Sequence, residues 1–188
     1  MNSKMETGSH NKQPAVFFDR DGTLMEEVHF CHDPNDVHVI PGLCGSLRRL
    51  RMCGWLVFVV TNQSGIAYGK ISLSEYEAVH CELMRQLDYQ VDATYFCPVI
   101  PDEGIGEQRR KPDIGMILEA TKTFSIDLPR SYLIGDKATD IECGKQAGMT
   151  SLLVTTGYGT QHLSCGADKI FENAVSAVDF ILRKSALS

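Results

Sequence analysis

The amino-acid sequence predicts a single doubly wound α/β domain, in which helices cover both faces of a parallel sheet. Three observations support this prediction: short apolar runs that recur along the chain, helix-period patterns between them, and a length of 188 residues, which suits one domain better than two. Brief, continuous apolar runs suit strands that are buried on both faces, as in a parallel sheet. Alternation of such strands with helices is typical of a Rossmann-like sheet.

The predicted strands contain many β-branched or aromatic residues and are too short for helices. They are residues 15–18, 56–60, 93–97, 132–134 and 151–154.

Helices are predicted where apolar residues recur at intervals of three and four. A Ser-x-x-Glu capping pattern opens the second helix and can begin at either Ser72 or Ser74. Gly148 follows the fourth, at a position where glycine commonly ends a helix. The predicted helices are residues 42–52, 74–87, 112–123, 136–147 and 175–183.

The chain is expected to comprise a flexible N-terminal segment, residues 1–14, and one folded domain, residues 15–188. Polar segments at Asp19, Thr61 and Lys111 are separated by only about 40 and about 50 residues. Because a small domain begins near about 50 residues, no large cap domain is expected between these segments.

The composition is that of a globular protein, with 43% hydrophobic and 22% charged residues. A formal net charge of −6 argues against a general nucleic-acid-binding protein. The seven cysteines lack a framework spacing and the first dozen residues are polar, so we expect reduced thiols and a cytoplasmic location. No apolar run approaches the roughly 18 residues of a membrane span, and we expect a soluble monomer without membrane contact.

Three predicted strands lead directly into polar, sharply turning segments. Asp19 and Asp21 follow the first strand, and Thr61 begins the segment after the second. Asp136 follows the fourth predicted strand, with Asp140 one helical turn later. Ligands of an open parallel sheet lie beyond the carboxyl ends of its strands. If these strands are neighbours, their carboxylates, a hydroxyl and backbone N–H groups meet at one edge.

Asp19, Asp21 and Asp136 are candidate ligands for Mg²⁺, which binds carboxylates, water and phosphate oxygens, and no Cys or His pattern favours zinc here. Each segment alone is more often a turn or a helix cap, but their coincidence at three strand ends favours a site. The basic run 109–111, taken alone, is more often a solvated surface. Its place before a helix also suits a cation that reaches both a bound phosphate and the acidic cluster.

Together these segments resemble the haloacid dehalogenase superfamily of phosphatases over roughly residues 15–183. DRDGTL, which begins at Asp19, is similar to the first motif of that superfamily, and Thr61-Asn62 to the second. Lys111-Pro112 is similar to the third motif and GDKATD, which contains Asp136, to the fourth. TNQSGIA, RRKPDIGM and GDKATDIECGKQAGM resemble the branch of phosphatases for D-glycero-D-manno-heptose 1,7-bisphosphate and histidinol phosphate, and the heptose enzymes are the nearer match.

The resemblance implies a Mg²⁺-dependent phosphomonoester hydrolase in which Asp19 attacks phosphorus and forms an aspartyl-phosphate. Asp21 would protonate the leaving alkoxide and later activate water, while Thr61 and Lys111 would hold the phosphoryl group. Asp136 would bind magnesium together with Asp19 and the backbone carbonyl of Asp21. The resemblance also implies contacts with the substrate from Asn62, Gln63, Ser64, Arg110 and Lys137, a sugar end lined by residues 27–30, and a supporting role for Asp140.

This chemistry suits a phosphate monoester on independent grounds. The ester is a poor electrophile surrounded by negative charge, so its hydrolysis depends mainly on positioning and neutralisation. A carboxylate nucleophile divides the hydrolysis into two easier displacements.

The chain departs from its branch at a structural zinc site, which many members build from Cys-x-His and Cys-x-Cys segments. Cys97 remains, but Val99 stands in the histidine place, and Glu107 and Arg109 stand where two later cysteines would fall. One soft ligand cannot make a tetrahedral zinc site, so no zinc is predicted.

The resemblance implies that the reaction is removal of the C7 phosphate of D-glycero-D-manno-heptose 1,7-bisphosphate. The alternatives are hydrolysis of histidinol phosphate, another sugar phosphate or a polynucleotide 3′-phosphate, and a non-catalytic module that binds phosphosugars. Retention of both an acid and a nucleophile argues against pure binding.

Overall fold

The computed structural model describes residues 12–100 and 109–187. Six parallel strands form one sheet in the order β3-β2-β1-β4-β5-β6. The strands are β1 (Ala15–Phe18), β2 (Leu56–Asn62), β3 (Ala93–Cys97), β4 (Tyr132–Gly135), β5 (Thr150–Val154) and β6 (Lys169–Phe171).

Helices connect the strands and close the chain. Of the two serines that could open the third helix, Ser72 is the cap, since its hydroxyl accepts the Glu75 N–H and the Glu75 side chain reaches back to the Ser72 N–H. The α-helices are α1 (Leu43–Met52), α2 (Ser64–Ala67), α3 (Leu73–Gln86), α4 (Gly115–Thr123), α5 (Ala138–Gln146) and α6 (Ala174–Ser185). Single 3₁₀ turns lie at Pro34–Asp36, Leu128–Arg130 and Gly159–Gln161.

The sheet is buried on both faces because successive side chains of each strand point to opposite sides. Val16 and Phe18 of β1 belong to a core cluster shared with α1, α3 and α6. Ala15 and Phe17 belong to a second cluster on the opposite face, shared with α4 and α5. The continuous apolar runs therefore fill two cores, and the predicted doubly wound architecture is confirmed.

The strand order places the switch point of the sheet beside β1. β1 pairs with β2 on one side and with β4 on the other, and the Asp19 N–H donates to the Ile134 carbonyl at 2.9 Å. The chain therefore leaves β1 and β4 side by side, which is where an open parallel sheet opens a crevice for a ligand. The described residues between the polar segments form no separate cap domain.

The folded unit includes part of the segment before the predicted domain start. The Gln13 N–H donates to Ser125 at 2.9 Å, and the Asp127 N–H donates to the Gln13 carbonyl at 2.8 Å. Residues 1–11 lie outside the described part of the chain. Within the described ranges, no helix has both the length and the apolarity needed to cross a membrane.

Candidate active site

Three carboxylates meet where β1 and β4 end. Asp19 follows β1, Asp136 follows β4, and Asp140 lies in the first turn of α5. One oxygen of each lies within 4.8 Å of the others, and all three side chains are buried. Because like charges this close repel one another in a buried place, the arrangement calls for cations. The topology has thus joined residues that are more than a hundred positions apart.

Lys111 supplies one cation to this carboxylate cluster (Asp19, Asp136 and Asp140). Its ammonium donates to Asp19 Oδ1 at 2.8 Å and to the Val60 carbonyl at 2.7 Å, and it pairs with Asp140 Oδ1 at 2.6 Å. Burial opposes the charge of Lys111, but Asp140 and Asp19 outweigh it and raise the pKa of the lysine. Burial likewise raises the pKa of Asp19, but Lys111 and Lys137 outweigh it and the net pKa is lowered. Asp19 is therefore held as a carboxylate.

The Lys111 backbone is fixed by the segment after β2. The Asn62 amide donates to the Lys111 carbonyl at 2.9 Å, and its oxygen accepts the Lys111 N–H at 3.1 Å. The predicted substrate contact Asn62 thus uses both ends of its amide to position the lysine.

Asp136 is the carboxylate that is least satisfied by protein. Its Oδ2 accepts the Tyr158 N–H at 2.8 Å, whereas its buried Oδ1 has no hydrogen-bond partner among the described residues. Burial, followed by the charge of Asp19, raises its pKa to about 7. An unpaired buried oxygen on a carboxylate that lies close to two others suits a hard divalent cation, so the residues present fit Mg²⁺.

Gly22 allows the backbone to pass directly beside Asp136. Its φ of 76° lies in the left-handed region, and an added Cβ would lie 2.5 Å from Asp136 Oδ2. The Gly22 carbonyl also accepts the Thr156 hydroxyl at 2.5 Å. The glycine of the DRDGTL segment is therefore required by close approach.

Asp21 stands apart from the carboxylate cluster and has its own partners. The Arg20 guanidinium donates to both of its oxygens at 3.0–3.1 Å, and the Gln63 amide donates to Oδ2 at 2.8 Å. The same Gln63 nitrogen donates to Thr61 Oγ1 at 2.9 Å. Thr61 is only 1% exposed, whereas the Asp21 side chain is 15% exposed, so of these two side chains Asp21 is the more accessible to solvent.

A cavity of about 240 Å³ adjoins Asp21. Lys137 Nζ lies 3.7 Å from Glu27 Oε2 and 4.8 Å from the centre of the Tyr158 ring. Burial raises the pKa of Glu27, although Lys137 opposes the shift. The cavity is lined by Arg20, Asp21, Glu27, Val28, His29, Phe30, Cys31, Asn62, Gln63, Ser64, Gly65, Lys137 and Tyr158. The predicted contacts Ser64, Lys137 and residues 27–30 are therefore all found at one cavity.

Arg110 does not line this cavity. Its guanidinium donates to the Val99 carbonyl at 2.8 Å, while the neighbouring Arg109 pairs with Glu119 at 3.0 Å. Glu107, which figures in the prediction of no zinc, lies outside the described residues with the rest of 101–108. That prediction stays a prediction.

The segment after β5 belongs to the site but was not among the predicted site residues. Tyr158 supplies the N–H that holds Asp136, and Thr156 holds Gly22. The available signal was the position of residues 155–159, a glycine-rich turn directly after a predicted strand. The rule that singled out three strand ends applied equally to this one.

Comparison with known proteins places the chain in a family. A family model described as HAD-hydrolase-like matches residues 108–175. The D-glycero-D-manno-heptose-1,7-bisphosphate 7-phosphatase of Thermosynechococcus vestitus is 38% identical, with 90% of this chain and 95% of that protein covered. The D-glycero-beta-D-manno-heptose-1,7-bisphosphate 7-phosphatase of Escherichia coli K12 is 34% identical, with 92% and 90% covered.

A solved structure agrees with these relatives. The D,D-heptose 1,7-bisphosphate phosphatase of B. bronchiseptica, crystallised with magnesium and phosphate, superposes with a TM-score of 0.83 at 29% identity, covering 92% of this chain and 99% of that one. The chain is therefore a phosphoric monoester hydrolase with the haloacid dehalogenase fold, and it belongs to the family of the heptose-1,7-bisphosphate 7-phosphatases.

Proposed function

We propose that this enzyme removes the C7 phosphate of D-glycero-D-manno-heptose 1,7-bisphosphate, with Mg²⁺ and through an aspartyl-phosphate on Asp19. The observation that carries the proposal is the buried carboxylate cluster, in which Lys111 pairs with Asp19 and Asp140, together with the small polar cavity that Asp21 lines. The names of relatives that match almost the whole chain support the choice of substrate.

Asp19 is proposed as the nucleophile. Lys111 holds Asp19 through Oδ1, which leaves Oδ2 to attack phosphorus. The lowered pKa of Asp19, in which Lys111 and Lys137 outweigh the opposing effect of burial, keeps the attacking group ionised. Thr61 and Lys111 are proposed to hold the phosphoryl group while the bond to Asp19 forms. The product of this first step is an aspartyl-phosphate and an alcohol.

Asp21 is proposed as the general acid and base. Its carboxyl reaches the cavity, where the ester oxygen of a bound sugar phosphate would lie. It would protonate that oxygen as the P–O bond breaks, and then accept a proton from the water that hydrolyses the aspartyl-phosphate. A positioned acid of this kind contributes on the order of 10²–10⁴-fold to the rate.

Asp19, Asp136 and the backbone carbonyl of Asp21 are proposed to hold Mg²⁺, with Asp140 in support. The unpaired Oδ1 of Asp136 supports this assignment. When bound, the ion would neutralise phosphate charge in the transition state.

Ser64 and Lys137 are proposed to contact the sugar phosphate, because both line the cavity. The amide of Gln63 is already engaged by Asp21, Thr61 and Arg20, as the amide of Asn62 is by Lys111, so these two residues would contact substrate only while keeping those bonds. Arg110 would have to leave the Val99 carbonyl to reach a substrate.

A substrate panel tests the proposal. Phosphate release is measured from heptose 1,7-bisphosphate, histidinol phosphate, common hexose phosphates and a 3′-phosphorylated oligonucleotide, with Mg²⁺ and with EDTA, and ³¹P NMR identifies the phosphate lost. We expect the highest kcat/KM for the C7 phosphate and no release with EDTA. A higher kcat/KM for histidinol phosphate would make that ester the substrate in place of heptose 1,7-bisphosphate. Binding of phosphosugars without any release of phosphate would favour the non-catalytic alternative.

We further propose that the enzyme acts as a cytoplasmic monomer without nucleic-acid or membrane partners. All seven cysteines are free thiols, and the formal net charge of −6 supports the absence of a nucleic-acid partner. Size-exclusion chromatography with light scattering tests the monomer, for which we expect a mass near 20.8 kDa.

A further inference from the structure

Arg20, which lies between Asp19 and Asp21 in the sequence, is almost completely buried, and this burial needs an explanation. It is 1% exposed and, in the part of the chain that the structure describes, the bulkiest of the fully buried side chains. A guanidinium is always charged and is costly to bury unless counter-charges and hydrogen-bond acceptors compensate for the water it loses. Its partners therefore indicate what it does.

The hydrogen-bond partners of Arg20 are Asp21, which is the proposed acid, and Gln63. Arg20 Nε lies 3.1 Å from each oxygen of Asp21, and Nη2 donates to Asp21 Oδ1 at 3.0 Å and to Gln63 Oε1 at 3.1 Å. A planar fork that spans both oxygens fixes the plane of the carboxyl as well as its distance. The guanidinium thus binds the acid and its other partner at once.

Gln63 completes the restraint from the segment after β2. Its Nε2 donates to Asp21 Oδ2 at 2.8 Å and to Thr61 Oγ1 at 2.9 Å. Both oxygens of Asp21 are therefore held, and the two residues that hold them are bonded to each other. Gln63 is 5% exposed, so little solvent competes for its amide.

Helix α3 holds the guanidinium from behind. The Arg20 guanidinium lies 5.2 Å from the centre of the Tyr76 ring, a cation–π distance. Tyr76 in turn packs against Phe96 of β3 at 4.5 Å between ring centres and stacks with His80 at 5.9 Å. Arg20 is therefore fixed by a second element of the fold that takes no part in the chemistry.

We propose that Arg20 and Gln63 are positioning residues that aim the Asp21 carboxyl at the leaving-group oxygen. The proposal rests on the acid role proposed for Asp21. In the step concerned, an Asp19 oxygen forms its bond to phosphorus while the P–O bond of the ester breaks, with its electron pair going to the ester oxygen. The Asp21 O–H bond breaks as its proton moves to that same oxygen. The Arg20 fork then binds the carboxylate that remains. A misdirected acid would spare substrates whose leaving group needs no proton.

Leaving-group dependence tests this role, because a merely structural residue would not change it. Arg20→Met, Arg20→Lys and Gln63→Leu are compared with the wild type on propyl phosphate and on a series of substituted phenyl phosphates. The burst of nitrophenolate from p-nitrophenyl phosphate isolates the first step. Arg85→Met is the matched control, since Arg85 also forks onto a carboxylate, Glu82, but on the exposed side of α3.

For Arg20→Met we expect kcat/KM on propyl phosphate to fall about 10²-fold, while the rate constant of the nitrophenolate burst falls less than about 5-fold. Arg20→Lys keeps the positive charge but not the two-pronged guanidinium contact, and its loss on propyl phosphate should be smaller than that of Arg20→Met. Gln63→Leu should shift the dependence in the same direction, and it decides the matter if the arginine variants do not fold. Arg85→Met should match the wild type throughout.

Equal losses across the whole series, in variants whose circular dichroism is unchanged, would overturn the proposal and leave Arg20 a structural residue. Two other results would instead overturn the function on which the proposal rests. One is a wild type that hydrolyses neither class of ester, and the other is an Asp21→Asn variant whose loss of kcat/KM is the same for all leaving groups. The two failures are therefore separable.

Discussion

Asp136→Asn should make the metal-free protein more stable at alkaline pH while abolishing its response to Mg²⁺. In the folded protein without metal, burial and the charge of Asp19 raise the pKa of Asp136 to about 7. An amide at this position carries no charge to bury, and its oxygen can still accept the Tyr158 N–H that Asp136 accepts at 2.8 Å. The substitution therefore removes a cost of folding, and with it the ligand proposed for Mg²⁺.

The size of the effect follows from the pKa difference. Between the ordinary value of 3.8 and about 7, at about 1.4 kcal/mol per pKa unit, the cost at pH 8 is about 4 kcal/mol as an upper bound. The folded state keeps its proton to higher pH than the unfolded state, so the stability due to Asp136 is complete below about pH 4 and lost as the pH rises to about 7. The advantage of the variant should therefore shrink below about 2 kcal/mol at pH 5.

Urea unfolding in EDTA between pH 5 and pH 8, followed by thermal melts with added Mg²⁺, measures both parts. Mg²⁺ should raise the Tm of the wild type and leave that of Asp136→Asn unchanged. Asp168→Asn is the control, because Asp168 accepts a backbone N–H at 2.7 Å from Ser151, at the opposite end of β5 from the carboxylate cluster. A variant that is less stable than the wild type at pH 8 in EDTA would refute the reasoning.

Three further predictions concern the same site. Lys111→Met should lower the free energy of unfolding in urea by about 3–5 kcal/mol, because it leaves two buried carboxylates unpaired. The control Arg48→Met should cost at most about 1 kcal/mol, because the Arg48–Asp88 pair is more than half exposed. Similar losses in both variants would contradict the stabilising role of the buried Lys111 pairs. Asp19→Asn should abolish turnover and leave the circular dichroism spectrum nearly unchanged, and near-wild-type turnover would refute the nucleophile. Gly22→Ala should lose Mg²⁺-dependent activity and about 1–3 kcal/mol of stability, because φ is 76° and a Cβ would crowd the Asp136 carboxylate. An unchanged Tm with full activity would show that the turn relaxes.

Much of the sheet was predictable because its strands are buried on both faces. β1 and β3 have the predicted bounds, and β2 runs two residues beyond the predicted end. β6 (Lys169–Phe171) was missed, since it is a three-residue edge strand with Lys169 and Ile170 exposed and needs no apolar run. Four-residue α2 was missed because it is too short to show a helical period. A sequence pattern records burial over several residues, and neither element provides such a run.

The meeting of the three strand ends depended on strand order, which pattern alone does not encode. The site forms because β1 lies between β2 and β4, as in the sheet of a doubly wound domain. Asp140, expected only in support, is an integral member of the carboxylate cluster. The direction of a side chain was less predictable than its position: Asn62 and Gln63 lie where expected, yet their amides hold Lys111 and Asp21.

The loop after β5 shows why the carboxylate cluster could not be read from carboxylates alone. One oxygen of the buried Asp136 carboxylate is held by a backbone N–H, that of Tyr158, which leaves the other oxygen for the proposed cation. Every residue type offers such a donor, so no residue identity signals it. What the sequence does record is the consequence, because the chain can bring that N–H so close only if Gly157, with its φ of 55°, and Gly22 have no side chains between the loops. At this site the glycines, more than the aspartates, mark where the two loops must touch.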